Sequence, residues 1–400
     1  MWHYQTTPAD TWDYDAVSPM MTADLNFGGT QRHVLIQPNK NGFLYVLDVK
    51  TGELISADAF TEVNWATGVD MKTGRPQVVD AARYEKEPWN LAPGVQGGHS
   101  WHPNAFSPDT GLIYIPTWEA YFPMERDLKY KPSAGGYNLG IAFGGINQSA
   151  TNLKPTSKTG ITGRLKAWDP VTRKVVWETE AFPNNRPSGG VLATAGGLVF
   201  QGNGAGEELR AYDAKTGKQL WSYKTQTATY APPITYELDG QQYIAQSVGG
   251  VAQGGYFAPG YARMMVFAIG GKATLPANAA YTPPPLNPPA STASADVIKL
   301  GQDKYSQYCS VCHGQDGVQT RGTFPNLMVT PLLHSQEGFD QVVLQGARAE
   351  KGMANFSKDL KPEDSAAVLA YLVSRANLLK QQAPPAPPPA DNTGNQHKAD

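Results

Sequence analysis

Three segments of the chain repeat one pattern, and this repeat constrains the fold more than any other feature. Each copy has an apolar strand, an aspartate, a turn centred on Thr-Gly or Thr-Arg, and a second strand; the copies are residues 44–55 (LYVLDVKTGELI), 165–177 (LKAWDPVTRKVVW) and 209–221 (LRAYDAKTGKQLW). Asp169 and Asp213 are 44 residues apart, a spacing typical of one four-stranded propeller blade. The repeat therefore predicts a β-propeller, and by itself it predicts no chemistry.

Further strand pairs lie between and after these copies. Residues 189–203 and 232–250 each contain two apolar runs joined by an Ala-Gly-Gly or an Asp-Gly turn. The 41 glycines and 32 prolines agree with many short strands joined by tight turns. Residues 1–272 are therefore predicted to be all-β.

The pattern changes after residue 272. Residues 273–294 are proline-rich and poor in large apolar side chains, which predicts a linker. Residues 295–380 have helical periodicity, clearest in residues 361–379 (KPEDSAAVLAYLVSRANLL), where Pro362 suits the first helical position. Residues 381–400 are polar and proline-rich, which predicts a disordered tail. The chain is thus predicted to be a β-propeller followed by a small all-α domain.

Charge and hydropathy exclude several partners. The 33 basic and 35 acidic residues are interspersed and give a net charge of -2, so neither nucleic acid nor an anionic membrane surface is the expected partner. No run of eighteen apolar residues occurs, so no transmembrane segment is expected. The first twenty residues lack the charged and apolar regions of a signal peptide, and the segment has the character of an internal one.

The segment CSVCHG carries the most specific chemical signal. It contains the only two cysteines, Cys309 and Cys312, followed directly by His313. Two thiols at this spacing can attach haem covalently, and the following histidine then ligates the iron. The alternatives are a chance spacing or half of a zinc site, but zinc requires further thiolate or imidazole ligands and no other cysteine exists. The motif predicts haem c.

A sixth iron ligand is expected from a later loop of the small domain. Met353, in EKGMANF, lies between two predicted helices and is the first candidate. Met328 and His334 are the alternatives, and Met353 could also be an ordinary packing methionine. A Met/His pair raises the reduction potential, which suits a carrier of single electrons.

Several segments together resemble one enzyme family. The segments WHYQTTPADTWDYDAV (2–17), NKNGFLYVLD (39–48), VNWATGVD (63–70), GGHSWHPNAFSPDTGLIYIP (97–116) and GRLKAWDP (163–170) resemble the pyrroloquinoline quinone (PQQ)-dependent alcohol dehydrogenases. The C-terminal part resembles the cytochrome domain of their quinohaemoprotein branch. The resemblance extends over nearly the whole chain and implies a partial eight-bladed quinoprotein propeller.

The resemblance implies roles for two acidic residues. The catalytic carboxylate of the family falls on Asp13, which would act as general base on the alcohol while hydride passes to PQQ. Asp13 would also contact the metal ion bound to PQQ. Relatives with a second aspartate two places on use a lanthanide rather than calcium, and this chain has Asp15 there. Residues i and i+2 of an extended segment project to the same side, so both carboxylates are expected to reach one cation. The alternative is a solvated polar turn.

Three further residues are implied to contact PQQ. Lys40 matches the basic residue that contacts the quinone oxygens in relatives, although it could also be an ordinary turn lysine. Trp101 matches a tryptophan of the cofactor pocket, whereas Ser100 stands where relatives commonly have asparagine. His99 and His102 could suggest a metal pair, but a loop His-x-x-His without a nearby carboxylate is more often structural.

Part of the family's site is not found in the chain. An eight-bladed propeller of this family needs roughly twice this much β sequence. Its N-terminal half supplies glutamate and asparagine metal ligands, a vicinal disulfide and a tryptophan stacked under PQQ. We therefore expect that the chain is a fragment or starts late, and that alone it does not hold PQQ tightly.

The sequence thus supports two hypotheses. The first is a periplasmic dehydrogenase that oxidises alcohols to aldehydes with PQQ and a lanthanide or calcium ion, and passes electrons through haem c to an external cytochrome, copper protein or quinone. The second is an electron-transfer or docking protein in which the cytochrome performs all redox chemistry. The retained Asp13, Asp15 and Lys40 favour the first, and the missing blades favour the second.

Overall fold

The computed structural model describes residues 1–130, 139–142, 162–179, 182–183, 189–204, 206–249, 262–278, 284–314, 317 and 324–382. These residues form two compact units, a β-rich unit within residues 1–274 and a helical unit that comprises the described residues from 275 on together with Leu139. Most of the predicted disordered tail, from residue 383 on, lies outside the described residues.

The β-rich unit repeats one antiparallel arrangement of four strands. The strands are β1 (Met21–Phe27), β2 (Thr30–Pro38), β3 (Phe43–Asp48), β4 (Leu54–Ala59), β5 (Ala66–Asp70), β6 (Arg75–Val78), β7 (Trp89–Leu91), β8 (Ala105–Ser107), β9 (Leu112–Glu119), β10 (Phe122–Met124), β11 (Thr162–Asp169), β12 (Lys174–Glu178), β13 (Phe182–Pro183), β14 (Val191–Ala193), β15 (Leu198–Asn203), β16 (Glu208–Asp213), β17 (Gln219–Lys224), β18 (Ile234–Leu238), β19 (Gln241–Val248) and β20 (Arg263–Ala268). Three sheets pair in the orders β1-β2-β3-β4, β8-β9-β11-β12 and β14-β15-β16-β17. Each of these sheets holds one copy of the sequence repeat in its third and fourth strands.

The remaining strands form smaller sheets. Strands β18, β19 and β20 form a three-stranded sheet, β5 pairs with β6, and β7 pairs with β10. Strand β13 instead adds a fifth strand to the β8-β9-β11-β12 sheet by pairing with β11. All of these pairs are antiparallel. The described strands thus form antiparallel sheets, as expected for an all-β propeller.

Successive sheets pack face to face. One apolar cluster joins β1–β3 to Ile113 and Ile115 of β9. A second joins Tyr114 of β9 and Leu165 of β11 to the β14–β16 sheet. A third joins Phe200 and its neighbours to the β18–β20 sheet. The three clusters thus join four successive sheets, and the two middle sheets bury both faces against their neighbours, which is the packing of propeller blades.

The repeated aspartate closes the turn between the third and fourth strands. Oδ1 of Asp213 accepts hydrogen bonds from the backbone N–H groups of Lys215 and Thr216 at 3.0 and 2.8 Å. Asp48 and Asp169 accept the equivalent pairs. These bonds lower the pKa of Asp213, with the hydroxyl and N–H of Thr216 contributing most. The aspartate therefore recurs because the turn needs an acceptor.

The glycine of the same turn makes room for a tryptophan of another strand. Gly217 has a φ of +73°, and a Cβ atom there would lie 2.4 Å from the Trp177 ring. The Trp177 indole N–H donates to the Ala214 carbonyl at 3.0 Å. Trp2 repeats this contact, with its ring against Gly52 and its N–H donating to the Val49 carbonyl at 2.8 Å. The Thr-Gly signature thus reflects both turn geometry and contact between sheets.

The helical unit is built on two crossing helices. Its helices are α1 (Ala295–Tyr308), α2 (Ser310–His313), α3 (Gln336–Val343) and α4 (Pro362–Gln382). A Cβ atom at Gly301 of α1 would lie 1.9 Å from the Ala367 carbonyl oxygen of α4, so only glycine allows this close crossing. None of the described helices is long and apolar enough to span a membrane.

One end of the predicted linker lies against the helical unit. Leu286 packs on the helical core, the Pro289 carbonyl accepts from Asn377 Nδ2 at 2.8 Å, and the Asn287 carbonyl accepts from His334. The domain boundaries at 272, 294 and 380 stay predictions.

Candidate active site and haem-attachment segment

The segment TWDYD is fixed by two aromatic side chains that point into the core. Trp12 and Tyr14 are fully buried. The Trp12 indole N–H donates to the Ala82 carbonyl at 2.7 Å, and the Tyr14 hydroxyl donates to the Pro93 carbonyl. Both rings contact Trp65. Asp13 and Asp15 therefore stay at the surface, on a backbone that Trp12 and Tyr14 anchor to the core.

Asp13 and Asp15 converge on one ammonium group. Nζ of Lys40 lies 3.1 Å from Oδ2 of Asp13 and 2.6 Å from Oδ1 of Asp15. The Lys40 side chain is only 8% exposed, whereas those of Asp13 and Asp15 are 69% and 53% exposed. The structure thus brings together Asp13 and Asp15, which the resemblance assigned to the metal ion, and Lys40, which it assigned to the quinone oxygens. The lysine side chain is buried and the two carboxylates are exposed.

The backbone at Asp13 is not extended. Its φ of +66° lies in the left-handed region, which aspartate enters more readily than most residues. The expectation that an extended segment aligns residues 13 and 15 is therefore wrong in its geometry. The two carboxylates meet because the chain turns at Asp13.

Lys40 is held by the turn that joins β2 to β3 and by a second loop. Asn39 and Asn41 accept backbone hydrogen bonds within the turn. Gly98 N–H donates to the Lys40 carbonyl at 3.0 Å, and Gly97 packs directly on the Lys40 side chain. Because its side chain is buried and doubly paired, Lys40 differs from an ordinary solvated turn lysine.

Trp101 and Ser100 lie on the loop that leads into β8. Trp101 is 57% exposed and stacks on the His102 ring with the centroids 3.9 Å apart. Ser100 is half-buried. Within the described ranges, neither residue forms a hydrogen bond or ion pair with Asp13, Asp15 or Lys40. Their role in cofactor binding stays a prediction.

His99 and His102 are buried and neutral. The His99 Nδ1–H donates to the Pro116 carbonyl at 2.9 Å. Burial lowers the pKa of His99 to about 4 and that of His102 to about 3. No group of three or more His, Cys, Asp or Glu side chains is arranged to hold a metal ion in the part of the chain that the structure describes. The structural interpretation of this histidine pair therefore fits better than ligation.

The acidic pair alone does not complete a cation site. A hard cation such as Ca²⁺ takes six to eight oxygen ligands, and Asp13 and Asp15 offer two carboxylates that Lys40 already pairs. Among residues in the described ranges, no third acidic or histidine side chain joins them. The residues present therefore do not by themselves fit a lanthanide or calcium ion.

The CSVCHG segment forms the end of α1 and the short helix α2. Cys309 is buried in the apolar core of the helical unit, which raises the pKa of its thiol to about 12, and Cys312 is exposed. Nδ1–H of His313 donates to the Pro325 carbonyl at 3.3 Å. Burial lowers the pKa of His313, so the ring is neutral at pH 7. The bond from Nδ1 leaves Nε2 available to iron, which is how a ligating histidine is oriented. These residues fit a covalently attached haem.

The three candidates for the sixth ligand differ in their surroundings. Met353 follows the 3₁₀ turn Ala349–Lys351, is partly buried and packs on the helical core. Met328, in the 3₁₀ turn Leu327–Val329, is fully buried, and its methyl group lies against Gly317. His334 is exposed, and its Nε2 bonds to the Asn287 carbonyl. The hydrogen bond argues against His334, and Met353 stays the prediction.

Sequence reasoning missed two residues that shape the acidic site. Asp10 accepts the backbone N–H groups of Trp12 and Tyr14, and Gly97 packs on Lys40. A signal existed for each: Asp10 ends the turn-rich stretch TTPAD, where aspartate commonly accepts backbone N–H groups, and Gly97 belongs to a Gly-Gly pair.

Two family models match the chain. The model described as glucose/ethanol/alcohol dehydrogenase, β-propeller domain, matches residues 1–64 and 77–244. The model described as cytochrome c oxidase, cbb3-type, subunit III, matches residues 296–372. Together they confirm the predicted order of an all-β propeller followed by a small all-α cytochrome c domain.

Known proteins give the same result over nearly the whole chain. The quinohemoprotein alcohol dehydrogenase ADH IIB of Pseudomonas putida is 41% identical over 391 residues, which cover 94% of this chain and 54% of the relative. The solved structure of quinohemoprotein alcohol dehydrogenase ADHIIG from Pseudomonas putida HK5 matches with a TM-score of 0.78 and 34% identity, over 95% of this chain and 57% of that one. A europium-containing methanol dehydrogenase matches with a TM-score of 0.50 and 33% identity, over 62% of this chain and 42% of that one. The chain spans about half the length of the curated relatives it matches.

Proposed function

Because the chain belongs to the glucose, ethanol and alcohol dehydrogenase family with a β-propeller domain, we propose that it serves a PQQ-dependent quinohaemoprotein alcohol dehydrogenase. The reaction is the oxidation of an alcohol to an aldehyde, with electrons leaving through haem c to an external acceptor. The relatives named as quinohemoprotein alcohol dehydrogenases support this reaction. Since the chain spans about half of their length, the activity is proposed for the full-length gene product.

The convergence of Asp13 and Asp15 on Lys40 carries the proposal. A buried ammonium with two outward carboxylates places a base and a positive charge at one point of the surface. Alcohol oxidation requires this combination, because a proton leaves the hydroxyl while negative charge develops on the oxidant. A scaffold without chemistry has no need for it.

Each residue has a separate task in this scheme. PQQ, when bound, supplies a quinone that accepts hydride from the carbinol carbon. The Asp13 carboxylate takes the hydroxyl proton. A general base must lie within hydrogen-bond reach of the substrate, and Asp13 is more exposed than Asp15. Lys40 stabilises negative charge near the quinone oxygens. Trp101 and Ser100 contribute to the cofactor pocket from the adjacent loop.

The metal ion is proposed to bind only in the full-length protein. Asp13 and Asp15 supply two carboxylates, and further oxygen ligands are needed, because no third His, Cys, Asp or Glu side chain of the described residues joins them. The extra negative charge of Asp15 favours a highly charged cation, and the similarity to a europium-containing methanol dehydrogenase supports a lanthanide over calcium.

The helical unit is proposed to carry electrons away. Cys309 and Cys312 attach the haem, His313 supplies Nε2 to iron, and Met353 supplies the sixth ligand. The external acceptor is a cytochrome, a copper protein or a quinone. Covalent haem attachment also supports a periplasmic location.

A second function is favoured by the incomplete ligand set. In this second function, the cytochrome domain transfers electrons and the propeller only binds a partner protein. The two functions differ in whether the full-length protein consumes alcohol.

The test is reconstitution of the full-length gene product with PQQ and either Ca²⁺ or La³⁺, followed by dye reduction with primary alcohols. We expect turnover with at least one metal. An Asp13→Asn variant should lose turnover while its haem spectrum matches the parent's, because only the base is removed. Absence of turnover with both metals would leave the electron-transfer function.

A further inference from the structure

We propose that Asp10 is a positioning residue that sets the left-handed conformation of Asp13 and thereby directs its carboxylate to Lys40. The contacts of Asp10 alone support this conformational role. The effect of Asp10 on turnover rests on the proposed function.

The Asp10 carboxylate binds the backbone on both sides of Asp13. Its Oδ1 accepts the N–H of Trp12 at 2.8 Å, and its Oδ2 accepts the N–H of Tyr14 at 2.7 Å. One carboxylate thus gathers two N–H groups that an extended chain would hold about 7 Å apart. The residue between them has to turn, and Asp13 has a φ of +66°.

The side chains of the same two residues fix their positions independently. Trp12 and Tyr14 are buried and hydrogen-bonded to the carbonyls of Ala82 and Pro93. The backbone can therefore relax mainly at Asp13 itself when the Asp10 bonds are removed. Left-handed φ is costly for any residue with a Cβ atom, so the relaxed conformation is expected to be extended.

Relaxation at Asp13 would separate its carboxylate from Lys40 without releasing Asp15. The two contacts differ in length, 3.1 Å for Asp13 and 2.6 Å for Asp15. The second aspartate lies beyond Tyr14, which stays anchored by its buried hydroxyl. Asp10 therefore acts on one member of the pair, the proposed base.

The first experiment is structural and needs no cofactor. Crystal structures of the full-length protein with Asp10→Ala should show Asp13 with negative φ and its Oδ2 more than about 4 Å from Lys40 Nζ, the limit of an ion pair. The contact between Asp15 and Lys40 should remain. Asp10→Asn keeps the size of the side chain and one of its two acceptor oxygens. If the alanine variant does not fold, the asparagine variant tests the same effect on Asp13. A positive φ and an unchanged distance at Asp13 in the variant structure would overturn the proposal.

The control variant is Asp169→Ala. Asp169 also accepts two backbone N–H groups, from Val171 and Thr172 at 2.8 and 3.1 Å, in a turn of the repeat. The Asp169→Ala substitution removes two hydrogen bonds of the same kind as those of Asp10, but Asp169 does not contact Lys40. Asp13 should be unchanged in its structure.

The second experiment measures turnover of the reconstituted full-length protein. Displacement of a base by about 1 Å can lower the rate about 100-fold, so Asp10→Asn should lower kcat at least about 10-fold with KM nearly unchanged. The Asp169→Ala variant should keep the parent kcat. If Asp13 is displaced in the Asp10→Asn structure and kcat is unchanged, Asp10 does not act on turnover through Asp13. A parent protein without turnover would contradict the proposed function, and the crystal structures would still decide the role of Asp10.

Discussion

Gly97 lies so close to Lys40 that no other residue fits at position 97. A Cβ atom there would be 2.2 Å from Cγ of Lys40 and 2.6 Å from the Lys40 carbonyl oxygen, and φ at Gly97 is +82°. The neighbouring Gly98 donates its N–H to the same carbonyl at 3.0 Å. The loop before β8 thus packs on the stem and backbone of the lysine, whereas Asp13 and Asp15 pair its ammonium group.

Replacing Gly97 by alanine should destabilise the β-rich unit and displace Lys40. Forcing a methyl group into a packed site costs about 1–3 kcal/mol, and the left-handed φ adds about 1–2 kcal/mol. The unfolding free energy from urea titration should therefore fall by about 2–5 kcal/mol.

Gly111→Ala separates these two causes. Gly111 has a φ of +69° and nothing within 4 Å of a Cβ position, so its substitution should cost only about 1–2 kcal/mol. Equal losses for the two variants would show that contact with Lys40 does not matter.

Asp15→Ala should remove the response of the full-length protein to lanthanides. Asp15 supplies the shorter of the two contacts to Lys40, and its negative charge is the basis of the proposed preference for a lanthanide. The measurement is the rate of dye reduction against La³⁺ and Ca²⁺ concentration. Asp24→Ala is the control, because Asp24 is also exposed and paired, with Nδ1 of His33 at 2.8 Å on β1 and β2. The same La³⁺ preference in parent and Asp15→Ala would remove Asp15 from the ligand set.

Met353→Ala and Met328→Ala should affect the helical unit in different ways. Loss of the sixth ligand converts low-spin haem to high spin, so Met353→Ala should change the visible spectrum of the holoprotein. Met328 is fully buried among Leu333, Leu372 and other core residues. Its truncation should lower the unfolding free energy by about 2–5 kcal/mol and leave the spectrum as in the parent. The reverse pattern would assign the ligand to Met328.

The blade repeat could be predicted from sequence because each of its residues has a local task. The aspartate of each copy caps the turn, and the glycine allows positive φ and admits a tryptophan, so both recur at a fixed spacing. The haem motif is local in the same way, since two thiols and a histidine within five residues define it.

The shape of the acidic site could not be predicted, because it depends on single contacts without periodicity. The positive φ of Asp13 accompanies two hydrogen bonds that the Asp10 carboxylate accepts from Trp12 and Tyr14. The position of Lys40 depends on Gly97, which is 57 residues further along the chain. The contacts of Leu286 and Pro289 with the helical unit were not predicted, because the proline-rich composition of this segment predicts a linker. A few specific contacts leave no trace in the composition of a segment.

The buried histidines His99 and His102 predict a loss of stability at acid pH. The pKa of His99 is about 4 in the folded chain, because burial disfavours the charged ring, against about 6.5 in an unfolded chain. The unfolded state therefore binds more protons between these values, and the contribution of His99 is complete above pH 6.5 and is lost as pH falls toward 4. The depressed pKa of His102 acts in the same direction. For His99 the difference corresponds to about 3 kcal/mol.

The variant His99→Asn isolates this effect. The asparagine Nδ2 can replace Nδ1 as donor to the Pro116 carbonyl, while its amide does not titrate. Loss of ring volume should lower stability at pH 7 by about 1–3 kcal/mol, so the relevant quantity is the slope against pH. Urea unfolding at intervals from pH 7 to pH 4 should show a smaller loss in the variant than in the parent. Parallel curves would mean that the pKa of His99 is the same in the folded and unfolded protein, as for a ring exposed to solvent, and that the loop before β8 is not packed as the structure shows.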